Sequence, residues 1–177
     1  MFEQLRESLL ANGRRARPAS GGAVPVLDGW RVLRRLGGHA GASTFLVEPA
    51  AGGATHLLDL AWLDGALAPP ALDHLRHTFA LLLAIDCPHL ARVVHHAVGT
   101  THACIVMEHV TGASLRTRLG APLDPATALT WLRQAASALA ALHAAGLVHG
   151  ALTPGSWLLR EDDSLVLADI GARTWLA

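Results

Sequence analysis

Three short apolar-alternating stretches follow one another with only turn formers between them, and this order restricts the fold more than any other feature. Trp30–Leu36, Ser43–Glu48 and His56–Trp62 read as strands. Gly37-Gly38 separates the first pair, and Pro49 through Gly53 the second. Strands joined by tight turns have no room for a crossover, so they form an antiparallel meander. A helix opens at Pro69-Pro70, with Leu72, Leu75, Phe79, Leu82 and Leu83 at spacings of three and four, and closes before Cys87-Pro88. Leu90–Val98 and Thr101–His109 return to strand around Gly99-Thr100.

The second part changes character. Ser114–Leu119 reads as a short helix and Pro125–Ala145 as the longest one, with Asp124 as N-cap and Gly146 as the stop. Trp131, Leu132, Ala135, Leu139 and Leu142 are its expected core stripe. Two short strands follow near Trp157–Arg160 and Ser164–Ala168, around the acidic turn Glu161-Asp162-Asp163. Strands, one helix, strands, then helices and a hairpin make an α+β chain in two lobes, crossing at Val110–Ser114. Before them, residues 2–11 read as an amphipathic helix bearing Phe2, Leu5 and Leu9, followed by an Arg- and Gly-rich tether containing Arg14, Arg15 and Arg17. The expected division is 1–23 helix and linker, 24–110 first lobe, and 111–177 second lobe.

Composition narrows the chemistry. Hydrophobic residues make up 51% of 177, enough for a sizeable core. Net charge is zero, which gives nucleic acid or an anionic membrane no basic surplus to grip. Cys87 and Cys104 build neither a disulfide framework nor a thiolate zinc site. The start, MFEQLRESLL, lacks the apolar core of a secretory signal, and Phe79–Ile85 is too short to span a bilayer. A cytoplasmic protein is expected. His74 and His77 on a helix and the pair His95-His96 on a strand have no carboxylate or thiol at metal-ligand spacing, so no metal is expected of them. All 14 basic residues are Arg. Any mechanism that needs a lysine amine is excluded.

The segments IVMEHVTGASL, LHAAGLVHGALTPGSWLL and SLVLADIG, in this order after the meander, resemble the protein kinase family, bacterial serine/threonine kinases in particular. The resemblance runs from Trp30 to about Arg173. It implies an antiparallel five-stranded N-terminal lobe with one helix, and a partial, mainly helical C-terminal lobe. It also implies which positions should carry chemistry. In LGGHAGAST, Gly37 is kept, but His39 and Ala42 stand where two further glycines would admit phosphates. The lysine of the third strand is Asp59, its glutamate partner on the helix is Thr78, and Leu57 replaces a small residue beside the adenine site. A carboxylate 4 Å from a phosphate charge costs about 1 kcal/mol in water and more in a cleft. In the catalytic loop the base is Ala151, the lysine Thr153, the metal-binding amide Ser156, and Gly150 takes the place of an arginine.

Asp169-Ile170-Gly171 alone keeps its reactive group, but one carboxylate is a poor magnesium site. The cofactor-binding candidates are Gly37, Met107, Glu108, Leu158 and Asp169, with Asp169 also the metal candidate. His149 and Ile170 match positions that pack with helix residues such as Leu82, and Leu152 and Pro154 match packing positions of the loop. Positions that pack stay apolar while positions that react are replaced, as in a pseudokinase. A catalytically inactive module acting by protein contact is expected, with no cofactor, and with the cleft filled or too electronegative for a triphosphate. The alternative is an unconventional phosphotransferase or ATP-binding protein retaining Asp169. The family's domain continues past Gly171, which implies a face of Pro125–Ala145 without its cover. Trp131, Trp157, Trp175 and Leu176 are expected near that face, where a protein partner or a second copy would bind.

Overall fold

A computed structural model describes residues 27–39, 42–63, 68–118, 120 and 122–170. The expected helix at 2–11, the tether with Arg14, Arg15 and Arg17, and Gly171, Trp175 and Leu176 lie outside the described residues, as does the His39 side chain.

The meander forms as its alternation requires. Strands β1 (Trp30–His39), β2 (Ala42–Pro49), β3 (His56–Trp62), β4 (Val93–Val98) and β5 (His102–Glu108) build one antiparallel sheet in the order β1-β2-β3-β5-β4. Side chains alternate across it. Phe45, Val47, Leu58, Leu60, Cys104 and Val106 pack on one face with Leu27. Ala42, Ala61, Ala103, Ile105 and Met107 face the other way, onto helix α1 (Pro69–Ala84). Two prolines open α1, where missing N–H groups cost nothing, and Ile85 turns extended to end it. Leu75, Phe79 and Leu82 are at most 1% exposed; each such side chain contributes roughly 1.5–3 kcal/mol of burial. Leu83, expected on the same stripe, is exposed.

Past the hinge come β6 (Ala113–Ser114), a 3-10 turn over Leu115–Arg118, helix α2 (Pro125–Ala144), a second 3-10 turn over Pro154–Ser156, and strands β7 (Trp157–Leu159) and β8 (Leu165–Leu167). β6, β7 and β8 form a small antiparallel sheet. The Asp124 carboxylate accepts from the Thr127 N–H at 3.0 Å, as an N-cap should. At the other end Gly146 (φ +74°) donates to the His143 carbonyl and Leu147 to the Leu142 carbonyl, both at 2.9 Å, closing a Schellman motif.

Trp131, Ala138 and Leu142 form the buried line of α2, with Ala135 and Leu139 half-buried beside it. Leu132 is 67% exposed and does not belong to that line. Its neighbour Trp131 takes the core position, and its indole N–H donates to the Asp163 carbonyl at 3.1 Å. Trp131 and Trp157 are therefore covered from within the chain. Among the described residues the exposed large apolar side chains of this lobe are Leu123, Leu129, Leu132, Val148 and Leu152.

One apolar cluster runs from α1 through Met107 to Leu142, Trp157, Leu167 and Ile170, joining the lobes. Backbone bonds reinforce it. Ala91 donates to the Leu167 carbonyl and Leu167 to the His89 carbonyl, each at 2.9 Å, while His89 Nδ1 donates to the Leu165 carbonyl. Arg160 binds the Pro88 carbonyl at 3.0 Å and the Glu108 carboxylate at 2.6 Å.

Candidate functional site

The cleft positions are set by β1–β2 above, the hinge at the back, and the loop 149–158 below. Gly37 and Gly38 lie within the β1–β2 ladder, opposite Thr44 and Ser43, and His39 is opposite Ala42, so the turn is paired almost to its tip. A Cβ on Gly38 would meet the Ala42 carbonyl oxygen at 2.5 Å, whereas one on Gly37 would meet nothing within 4 Å. Ala42 is buried in the main core rather than open to a ligand.

Asp59 sits on β3 between Thr44 and Ile105. It shares the inner face with Leu57 and Ala61, the side chains on either side pointing out to the second core. The Thr44 hydroxyl donates to its carboxylate at 2.6 Å. β2 thus supplies a partner suited to an acid at this point, a relation that only the strand register reveals. Leu57 is half-buried opposite the buried Met107 and packs on the same core. Thr78 is buried on α1.

The loop below is an internally bonded unit. Gly150 takes φ +72°, a left-handed conformation natural to glycine. Thr153 and Ser156 form a capping box. The Thr153 N–H donates to Ser156 Oγ at 3.2 Å, and the Gly155 N–H donates to Thr153 Oγ1 at 3.2 Å. Ser156 is fully buried, and its carbonyl accepts from Ala168 and Asp169 N–H. Its hydroxyl therefore serves the loop. Leu152, matched to a packing position, is 44% exposed and does not fill that role; Pro154 is exposed as well. His149 is 3% exposed. Its Nε2 donates to the Asp169 carbonyl and its Nδ1 accepts from the Ala151 N–H at 3.4 Å. Ile170 is buried in the same core cluster as Leu82, as expected. Asp169 is thus held by its backbone on both sides while the residue stays exposed.

At the hinge the candidates separate. Leu158 is half-buried against Ala91, Val110 and Val166. Glu108 turns its carboxylate to Arg160, where it borders an open cavity of about 280 Å³ shared with His109, Val110, Thr111, Glu161 and Asp162. The Ser164 hydroxyl and N–H hold the Asp162 carboxyl below its ordinary value, Arg160 adding to the effect. Arg160 escaped sequence reasoning because its partners Pro88 and Glu108 are far away in the chain. Among the described residues no group of three or more His, Cys, Asp or Glu side chains could hold a metal ion, and no helix is long and apolar enough to cross a membrane.

Residues 67–176, more than half of the chain, match the family model for protein tyrosine and serine/threonine kinases. The chain belongs to the protein kinase family. It is 35% identical over 131 residues to the serine/threonine-protein kinase pkn2 of Myxococcus xanthus, covering 73% of this chain and 16% of that one. To the serine/threonine-protein kinase PkaB of Streptomyces coelicolor it is 32% identical over 145 residues, 72% of this chain and 33% of the relative. To the cyclin-dependent kinase F-1 of rice it is 30% identical over 159 residues, 85% of this chain and 32% of the relative. The chain spans between a sixth and a third of the length of these kinases. The five-stranded sheet, the single helix α1 against it and the loop beneath fit the protein kinase fold.

Proposed function

We propose that this kinase-fold chain does not transfer phosphate and acts through protein contacts. One observation carries the reading: in a chain without a single lysine, the third strand presents Asp59 to the cleft, bonded to Thr44, at the position where the family holds the nucleotide phosphates. A second carboxylate, Asp169, lies on the segment below. The loop supports the same view. Ala151 has no proton acceptor, and Ser156 is buried in a capping box instead of reaching for a metal. Among the described residues no set fits a magnesium–triphosphate complex: Asp169 offers one ligand and Asp59 a repulsion. The contact surface that the reading calls for includes Leu129, Leu132, Val148 and Leu152, all exposed on α2 and the loop after it. Its occupant is another protein surface, a second copy included.

The names of the relatives favour a second reading, a phosphotransferase or ATP-binding protein working through Asp169. A melting scan with ATP and Mg2+ separates the two. Nucleotide at about a hundred times its dissociation constant would add about 2.7 kcal/mol, a rise of roughly 5–10 °C for a chain of this size. No rise is expected, and no label should pass from γ-labelled ATP to the chain or to a generic substrate protein. Transfer that disappears in Asp169→Ala would establish the second reading.

A further inference from the structure

The loop 149–158 has Thr153 where a kinase carries its loop lysine, yet a cation stands beside it. Arg116 comes from the 3-10 turn after the hinge, and its guanidinium lies over Gly155. A Cβ placed on Gly155 would be 3.2 Å from Arg116 Nη2, 3.3 Å from Nε and 3.4 Å from Thr153 Oγ1. Glycine at 155 is therefore what lets the guanidinium settle against the loop beside the Thr153 hydroxyl. The turn that carries it is anchored. The Arg116 N–H donates to Ser114 Oγ at 3.2 Å, Thr117 Oγ1 to the Ser114 carbonyl at 2.7 Å, and Ser114 Oγ to the Pro154 carbonyl at 3.4 Å.

We propose that Arg116 and Thr153 form a binding site for an oxyanion carried on an extended segment of a partner protein. Arg116, Thr153 and Gly155 are all exposed. Among the described residues no carboxylate pairs with Arg116, although Arg31, Arg76, Arg118 and Arg160 each have one. Its guanidinium is a planar fork of donors that matches phosphate or carboxylate oxygens. Arg118, on the same turn, lies 4.0 Å from Asp163 and leaves the patch with a positive balance. Thr153 Oγ1 accepts from Gly155 and lies 3.3 Å from Ser156 Oγ; with the buried Ser156 hydroxyl as donor of that bond, the Thr153 proton is left for an incoming oxygen. The segment that bears the anion would run past the Arg116 guanidinium at the mouth of the loop.

The proposal rests on the geometry of this loop and stands whether or not the domain transfers phosphate, so the labelling assay above and the following one fail independently. Fluorescein-labelled Gly-Ala peptides with a central phosphoserine, aspartate or serine are titrated with the full chain at low salt and followed by anisotropy. The phosphoserine peptide is expected to bind and the serine peptide not. Arg116→Ala should weaken binding about tenfold or more at an unchanged melting midpoint. Arg133→Ala removes the same charge from the exposed face of α2 and should leave binding as it was. Gly155→Val keeps the charge but lifts the guanidinium, and should give an intermediate loss. Preference for phosphoserine over aspartate assigns a phosphate monoester; equal binding assigns carboxylates too. Equal binding of all three peptides, or equal affinity in the Arg116→Ala and Arg133→Ala proteins, would overturn the site. Inorganic phosphate that competes fully at the peptide's own concentration would reduce it to a free-ion site and overturn the role of the segment.

Discussion

Gly112 is the residue at which one methyl group should do the most damage. It lies in the hinge at φ +153°, and a Cβ there would fall 1.8 Å from the Leu159 carbonyl oxygen and 2.8 Å from its carbon. Both obstacles are backbone, so no side chain can swing aside. Relief requires β6 to move away from β7, which breaks the Ala113–Leu159 pairing. Backbone forced into a sparsely populated region costs about 1–3 kcal/mol, and the shift that an overpacked group imposes about 1–3 kcal/mol more. Gly112→Ala should therefore lose roughly 2–6 kcal/mol, which for a chain of this size lowers the melting midpoint by about 4–24 °C. Gly146→Ala is the matched control: its φ is +74°, but no atom lies within 4 Å of the new Cβ. It should lose about 1–2 kcal/mol from the left-handed backbone alone. Thermal melts of both proteins by far-ultraviolet circular dichroism measure the difference. Equal midpoints would show that the close approach at Leu159 is not what fixes the hinge.

Three further outcomes follow from packing and charge. Leu142→Ala should cost about 2–5 kcal/mol because its side chain is fully buried, while Leu132→Ser, on an exposed site, should stay within about 0.5 kcal/mol; urea titrations read both. Ser156→Asn would restore a metal-binding residue type to the loop, yet it forces extra atoms into a site with no exposure. It should destabilise by about 1–3 kcal/mol, and a variant as stable as the parent would mean that the loop has room to spare. His96, whose ring lies 5.6 Å from that of Phe79, has its pKa held below the usual 6.5, first by burial and then by His95. The unfolded chain then takes up the proton first, so stability is full above 6.5 and falls as pH drops from there toward the lowered folded value. The melting midpoint should decline as pH falls below about 6.5, with a shallower slope in His96→Gln.

The pairing register could not be read, since Gly37-Gly38, expected as the first turn, lies inside the β1–β2 ladder, but the strands themselves could, because their alternation is a local property. The helix ends could be read for the same reason: Asp124 and Gly146 act on backbone groups within a few residues. Rotation of the helices about their axes could not. A period of 3.6 identifies an apolar side but not its edges: it groups Leu83 with Phe79 and Leu82, and Leu132 with Trp131 and Leu142, yet Leu83 and Leu132 are exposed while the others are buried. The candidate site divides in the same way. Motif order placed Asp59, Ala151 and Ser156 in the chain, but what each one touches depends on strands and turns that sequence spacing does not relate. Thr44 opposite Asp59, Arg160 between Pro88 and Glu108, and Arg116 over Gly155 are pairings of that kind.

The bonds that cross from His89 and Ala91 to Leu167 are made by main-chain atoms, and any residue type other than proline can supply them. The frame of the two lobes is in this respect indifferent to the identity of the side chains it displays. Charged groups around the cleft can therefore differ without touching these bonds. Specificity can then drift to wherever the surface is least committed, without the fold having to be reinvented.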